Sequence, residues 1–207
     1  MSDVSVEKTP ERISGMFDAI APRYDLLNRV LSAGIDQRWR AAAIRSLQLT
    51  GRETLLDVCV GTADVALQAR RAASGQGAAR VVGVDFSAAM LKLGNDKVRA
   101  ANETSRITLA RGDAMRLPVA SASVDAVTVA FGIRNVVDRE RGCREFARVL
   151  RTGGRLAVLE FGTPQTPGLR QLYQWYFRAV LPKLRAMLKP GGRVLMAGEP
   201  IFAGPHP

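Results

Sequence analysis

Thr54-Leu-Leu-Asp-Val-Cys-Val-Gly-Thr-Ala-Asp64 is the stretch on which the fold turns. Its apolar, strand-forming run, Thr54 to Val60, stops at Gly61, and a helical pattern follows over Ala63–Ala72. A strand that turns at a glycine straight into a helix opens a βαβ unit. The pattern then recurs. Arg80–Asp85 predicts a second strand, with a helix over Ser87–Ala100, and Arg106–Ala110 a shorter third. Val124–Phe131 predicts a fourth strand, followed by a helix over Arg139–Leu150, and Gly154–Glu160 a fifth. Strands alternating with helices of this length predict right-handed crossovers and a mainly parallel, Rossmann-like α/β sheet with helices on both faces.

The flanks are helical. Thr9-Pro10 reads as an N-cap followed by proline at the first helical position. The pattern reaches about Leu47, with breaks near Pro22 and Gly34 and Asp36 as a second cap. Beyond Gly168, apolar residues from Leu169 to Leu188 recur at helical spacing among Arg170, Arg178, Lys183 and Arg185. Packing onto the sheet explains that stripe better than a membrane surface does, and Pro182 predicts a kink in it. One domain in three segments follows: a helical cap over 1–50, an α/β core over 51–167, and an amphipathic helix with an atypical tail over 168–207.

The chain has 207 residues, 47% of them hydrophobic and 24% charged, which suits a globular protein with a substantial core. No apolar run is long enough to span a bilayer, and the first ten residues lack the apolar centre of a secretory signal, so a cytoplasmic location is expected. Cys59 and Cys143 have no partner spacing. The single histidine, His206, lies in the terminal Gly-Pro-His-Pro, which argues against histidine-based catalysis; no metal is expected. A net charge of +11 favours an anionic partner, either nucleic acid or a membrane surface. The arginines are dispersed rather than clustered, which weakens the nucleic-acid reading.

Ligands of a parallel α/β sheet sit beyond the carboxyl ends of its strands. At the first, Gly61 allows a tight turn and close backbone approach, although a lone glycine there is often only a turn. A dinucleotide site would carry G-x-G-x-x-G; only Gly61 of that pattern is present. Asp57 and Asp64 flank the turn instead, and would repel a pyrophosphate and attract a cation. A nucleoside with a positive charge and no phosphate fits, and S-adenosylmethionine is such a molecule. Asp85 ends the second strand at the spacing where a carboxylate receives ribose hydroxyls; capping the next helix is its alternative role, one Ser87 could fill equally well. In Gly112-Asp113-Ala114 the carboxylate can take an adenine amino group while the alanine leaves room for the ring. At the fourth strand end, Arg134 and Asn135 are placed to meet a ligand or to cap a helix.

With those residues in place, the chain resembles the ubiquinone/menaquinone biosynthesis C-methyltransferases, class I S-adenosylmethionine-dependent enzymes, from about Glu11 to Leu184. The motifs are Met16-Phe-Asp-Ala-Ile-Ala-Pro-Arg-Tyr-Asp-Leu-Leu-Asn28, Leu56–Asp64, Val84-Asp-Phe-Ser87, Gly112-Asp-Ala114, Ala130-Phe-Gly-Ile-Arg-Asn135 and Leu159-Glu-Phe161. The first and fifth are specific to the family. The resemblance implies cofactor contacts from Thr62, Asp85, Asp113 and Ala114, and ring methylation of a prenylated quinol without a metal. Arg134 would steady a phenolate and Asn135 orient the ring hydroxyl; Tyr24 and Asp25 on the cap are the next candidates, with packing an equal role for Tyr24. Peripheral contact with an anionic membrane and a homodimer or biosynthetic complex are further expectations. The competing readings are a class I methyltransferase acting on another small molecule or on nucleic acid, and an S-adenosylmethionine-binding protein without activity. Against nucleic acid, the chain has no Asp/Asn-Pro-Pro-aromatic motif for a flipped base.

Two departures stand out. Ala63 replaces a glycine common in the first turn, tolerable if its φ stays negative. The tail, Met187–Ala197, echoes Val149–Val158 instead of continuing the family pattern, so the terminal strand pair is expected to be incomplete.

Overall fold

The computed structural model describes residues 15, 18, 21, 32, 34–71 and 77–160. The amphipathic stripe, the tail and its strand pair lie outside them. All described elements belong to one compact unit, residues 1–160.

Helix α1, Ile35–Ser46, precedes strand β1, Thr54–Val58; helix α2, Asp64–Arg70, leads to β2, Arg80–Asp85. Helix α3, Ala88–Ala100, joins β2 to β3, Ile107–Arg111. Strand β4, Val124–Ala130, ends in a 3-10 turn, Ile133–Asn135, and helix α4, Arg139–Val149, runs directly into β5, Leu150–Leu159. The sheet order is β3-β2-β1-β4-β5, with every neighbouring pair parallel. The expected parallel α/β sheet is therefore present.

Strand β1 is central and buried along nearly its whole length, so it reads as a continuous apolar run. Alternate residues serve opposite faces. Leu55, Val81 and Ala126 pack with Ile44 of α1, Ala66 of α2 and Val98 of α3. Leu56, Val84, Val127 and Val129 pack with Phe146 and Val149 of α4. Phe146 is fully buried, which contributes about 1.5–3 kcal/mol.

Several boundaries differ from expectation for local reasons. Strand β1 stops at Val58 because Cys59 takes a left-handed conformation, φ 57°; β4 stops at Ala130 because Phe131 does the same, φ 57°. Helix α1 is capped by Gly34 with no side-chain hydrogen bond, while Asp36 lies inside the first turn, ion-paired with Arg40. Strand β5 starts at Leu150, earlier than expected, and carries an irregularity opposite Val124–Ala126, where Gly153 has φ 79°. Ala63 is the N-cap of α2 with φ 66°, so the condition that its φ stay negative fails. The strain of a left-handed alanine, about 1–2 kcal/mol, is borne by a residue whose methyl is wholly buried.

Candidate active site

The strand ends β1 to β4 enclose a cleft of about 800 Å³, measured out to its open mouth. Cys59 and Gly61 come to it from β1, Asp85 and Ser87 from β2, Asp113 and Ala114 from β3, and Phe131 and Asn135 from β4. The structure thus brings together five of the residues that the sequence marks: Gly61, Asp85, Asp113, Ala114 and Asn135.

Asp85 is held from both sides. Its Oδ2 accepts from the Gly61 N–H at 2.8 Å and its Oδ1 from the Ser87 N–H at 2.9 Å. Ser87, not Asp85, caps α3, its hydroxyl accepting from the Met90 N–H at 3.1 Å. Burial raises the Asp85 pKa, and the backbone donors oppose that rise. Each carboxylate oxygen has two acceptor sites, so both can still receive a hydroxyl from a vicinal diol. Asp113 accepts from the Met115 N–H at 2.8 Å through Oδ1, which fixes the carboxylate beside the small, buried Ala114.

Asp57, Thr62 and Asp64 are not among the cleft's lining residues. Asp57 and Asp64 do not form the open carboxylate pair that their spacing suggests. Asp64 is engaged by Lys97 at 2.6 Å and Arg40 at 3.1 Å, so its charge is already answered. Asp57 is buried and accepts from the Thr128 hydroxyl at 2.8 Å, while its Oδ2 has no hydrogen-bond partner among the described residues. Burial pushes its pKa up to about 7, against the lowering effects of Thr128 and Arg40. The Thr62 hydroxyl accepts from Lys97 at 2.9 Å.

At the fourth strand end the pair divides. Asn135 lines the cleft, whereas the Arg134 guanidinium is bound by Glu160, Nη1 to Oε1 at 2.8 Å. Tyr24 and Asp25 lie outside the described residues.

Sequence reasoning missed three participants. Glu160 stands in the Leu159-Glu-Phe161 motif, but nothing local shows that it reaches Arg134. Asp18 belongs to the Met16–Asn28 motif and accepts from the hydroxyl of Ser87, which lines the cleft. Arg40 bridges Asp36 and Asp64 while its guanidinium lies 5.9 Å from the Phe131 ring centroid, joining α1 to the first turn and the cleft floor. A buried, doubly paired arginine on the helix face that also buries Ile44 leaves no apolar periodic trace.

The donor set narrows the kind of ligand that fits. Among the described residues, no lysine or arginine lines the cleft, while Asp85 and Asp113 do. The Cys59 thiol at its floor is pushed up by burial and then by the carboxylates of Asp85, Asp57, Asp113 and Glu160. A negative floor repels a pyrophosphate and suits a nucleoside bearing a sulfonium, so the residues fit S-adenosylmethionine.

Comparison with known proteins agrees. The family model described as the ubiE/COQ5 methyltransferase family matches residues 5–195. The chain is 48% identical over 174 residues to the ubiquinone/menaquinone biosynthesis C-methyltransferase UbiE of a Geobacter species, covering 84% of this chain and 73% of the relative. It is 42% identical to the demethylmenaquinone methyltransferase of Mycolicibacterium vanbaalenii, covering 99% of this chain and 85% of that one. Among solved structures, the [4+2]-cyclase SpnF superposes with a TM-score of 0.65 at 24% identity, over 76% of this chain and 62% of that one. A SAM-dependent methyltransferase of Aquifex aeolicus gives 0.54 at 15% identity, over 78% and 77%. A cyclase and a methyltransferase on one scaffold carry the fold alone.

Proposed function

The chain belongs to the ubiE/COQ5 methyltransferase family, and from that premise we propose that its cleft uses S-adenosylmethionine to methylate a ring carbon of a prenylated quinol. The acceptors this reading names are demethylmenaquinol, giving menaquinol, and the benzoquinol precursor of ubiquinone. The observation that carries it is the division of the cleft: carboxylates at the β2 and β3 ends, and the Ile133–Asn135 turn at the β4 end.

In this reading Asp85 takes the ribose hydroxyls and Asp113 the adenine amino group, with Ala114 leaving space for the ring. The bound sulfonium supplies an electrophilic methyl. The chain's own part is positioning and charge. Asn135 orients the quinol hydroxyl, and the permanently cationic guanidinium of Arg134 stabilises the phenolate. Ionisation of the hydroxyl makes the adjacent ring carbon nucleophilic. That carbon forms the new bond to the methyl group as the carbon–sulfur bond breaks, its electron pair remaining on sulfur. Loss of the ring proton then restores aromaticity. Because opposite charges cancel along this path, an apolar, water-poor cleft favours it. Thr62 remains a cofactor candidate by resemblance, and Tyr24 and Asp25 remain candidates on the N-terminal cap.

A prenylated acceptor resides in a membrane, and the net charge of +11 supports peripheral contact with an anionic surface. No helix among the described residues is long and apolar enough to cross a bilayer. Supplying purified protein with S-adenosylmethionine and each demethylated quinol in turn tests the acceptor class. A product from neither quinol, with transfer to another phenol or to RNA, would overturn the assignment.

A further inference from the structure

The proposed reaction needs a group to receive the quinol proton, and a guanidinium, already carrying its full set of protons, is not that group. The structure places a carboxylate beside it. Glu160 follows the last residue of β5, and the Phe131 N–H donates to the Leu159 carbonyl at 2.7 Å, so the β4 and β5 ends are locked side by side. From there Glu160 meets the 3-10 turn with both oxygens. Oε1 accepts from Arg134 Nη1 at 2.8 Å, and Oε2 faces the Arg134 backbone N–H at 3.4 Å. Neither side chain is sealed in the core: the Arg134 side chain is 31% exposed and that of Glu160 15%. Asn135, next in the same turn, lines the cleft, and the charge of Glu160 is felt by the Cys59 thiol at the cleft floor.

We propose that Glu160 is the proton acceptor of the methyl-transfer reaction, acting as a pair with Arg134. The inference rests on the reading of this cleft as a quinol-methylating site. As the quinol O–H bond breaks, its proton passes to a Glu160 oxygen, directly or through one water, and the O–H electron pair stays on the quinol oxygen beside Arg134. One ion pair, guanidinium with carboxylate, is exchanged for another, guanidinium with phenolate. The net charge of the site is unchanged, so no isolated charge is created in a poorly solvated place. After the new carbon–carbon bond forms, Glu160 gives its proton to water. Its carboxylate then takes the ring proton, the C–H electron pair restores the aromatic phenolate, and water protonates that phenolate on release.

The test compares the wild-type chain with Glu160→Gln and Glu160→Asp, using S-adenosylmethionine and a short-prenyl demethylmenaquinol kept reduced. Removal of a general base costs about 10²–10⁴-fold in kcat near neutrality. The Glu160→Gln defect should shrink as the pH approaches the phenol's own pKa, near about 10, where the acceptor ionises unaided. The KM for S-adenosylmethionine should stay within about twofold of wild type. A readout without turnover uses 4-nitro-1-naphthol, whose anion is coloured, titrated by absorbance in the presence of S-adenosylhomocysteine. Glu160→Gln should bind the naphtholate several-fold more tightly than wild type, since the Arg134 charge is no longer offset, and Glu160→Asp should resemble wild type. A loss of kcat that is the same at every pH, wild-type activity in Glu160→Gln, or unchanged naphtholate binding would each overturn the role of Glu160. A wild-type chain that methylates no quinol would instead overturn the reading beneath it. Should Glu160→Gln fail to bind S-adenosylhomocysteine, Glu160→Asp decides: its shorter carboxylate must keep the wild-type pH profile.

Discussion

The Gly61 N–H and the Asp85 carboxylate meet at 2.8 Å across 24 residues of sequence. This single contact joins the turn after β1 to the end of β2. A glycine at φ 55° brings its amide there, and nothing lies within 4 Å of where its side chain would be. The backbone is therefore open to close approach by a ligand.

Replacing Asp85 by alanine leaves two backbone donors, those of Gly61 and Ser87, without their acceptor and removes the proposed ribose contact. Hydrogen bonds to a charged group contribute about 1.5–3 kcal/mol each. Calorimetric affinity for S-adenosylhomocysteine should fall on the order of 10²-fold. A variant that binds normally would refute the ribose assignment.

Arg134→Ala separates the two halves of the cleft. Loss of one donor to a developing oxyanion costs about 10²–10³ in kcat. The rate of ring methylation should fall by that factor while S-adenosylhomocysteine affinity stays within about twofold of wild type. Parallel loss of both would place Arg134 in the framework rather than on the acceptor side.

The cleft floor is a tight joint. A Cβ at Gly132 would lie 2.4 Å from the Cys59 Cβ and 2.8 Å from its sulfur. Gly132→Ala should lower stability by about 1–3 kcal/mol, read as a shift in denaturation midpoint. Cys59→Gly removes the opposing atoms and suits the left-handed backbone at that site, φ 57°. The double variant should recover most of the loss; simple additivity of the two changes would contradict the contact.

Asp57 gives stability a pH dependence of definite sign. Its folded pKa, about 7, lies above the ordinary value of 3.8, with burial as the main cause. Between those limits the folded chain holds a proton that the unfolded chain has lost, so stability declines as pH rises from about 4 to about 7. The contribution is on the order of a few kcal/mol. Asp57→Asn should flatten urea-unfolding stability across that window, and an unchanged slope would show that Asp57 is ionised throughout.

Much of this was legible in the chain because it is local. The strand–turn–helix at Thr54–Asp64, the Asp at the β2 end and the Asp113-Ala114 step all announce themselves by composition and spacing, and each stands where a parallel sheet presents its ligands. What stayed hidden depends on contacts between distant segments. Glu160 reaches Arg134 from 26 residues away, and Asp64 is claimed by Lys97 across 33 and by Arg40 across 24. No periodicity encodes such pairings, so Asp64 reads as open until the helices are packed. The left-handed residues Cys59 and Phe131 were equally silent, since their neighbours, not their own preferences, impose the conformation.

The most direct test of the central claim follows the methyl group itself. The protein, S-adenosylmethionine carrying a labelled methyl and reduced demethylated naphthoquinol and benzoquinol acceptors are incubated together, and the products are resolved by mass spectrometry. The account predicts one labelled methyl on a ring carbon of at least one quinol, with S-adenosylhomocysteine formed in equal amount. Saturable binding of S-adenosylmethionine with no label on either quinol would contradict it.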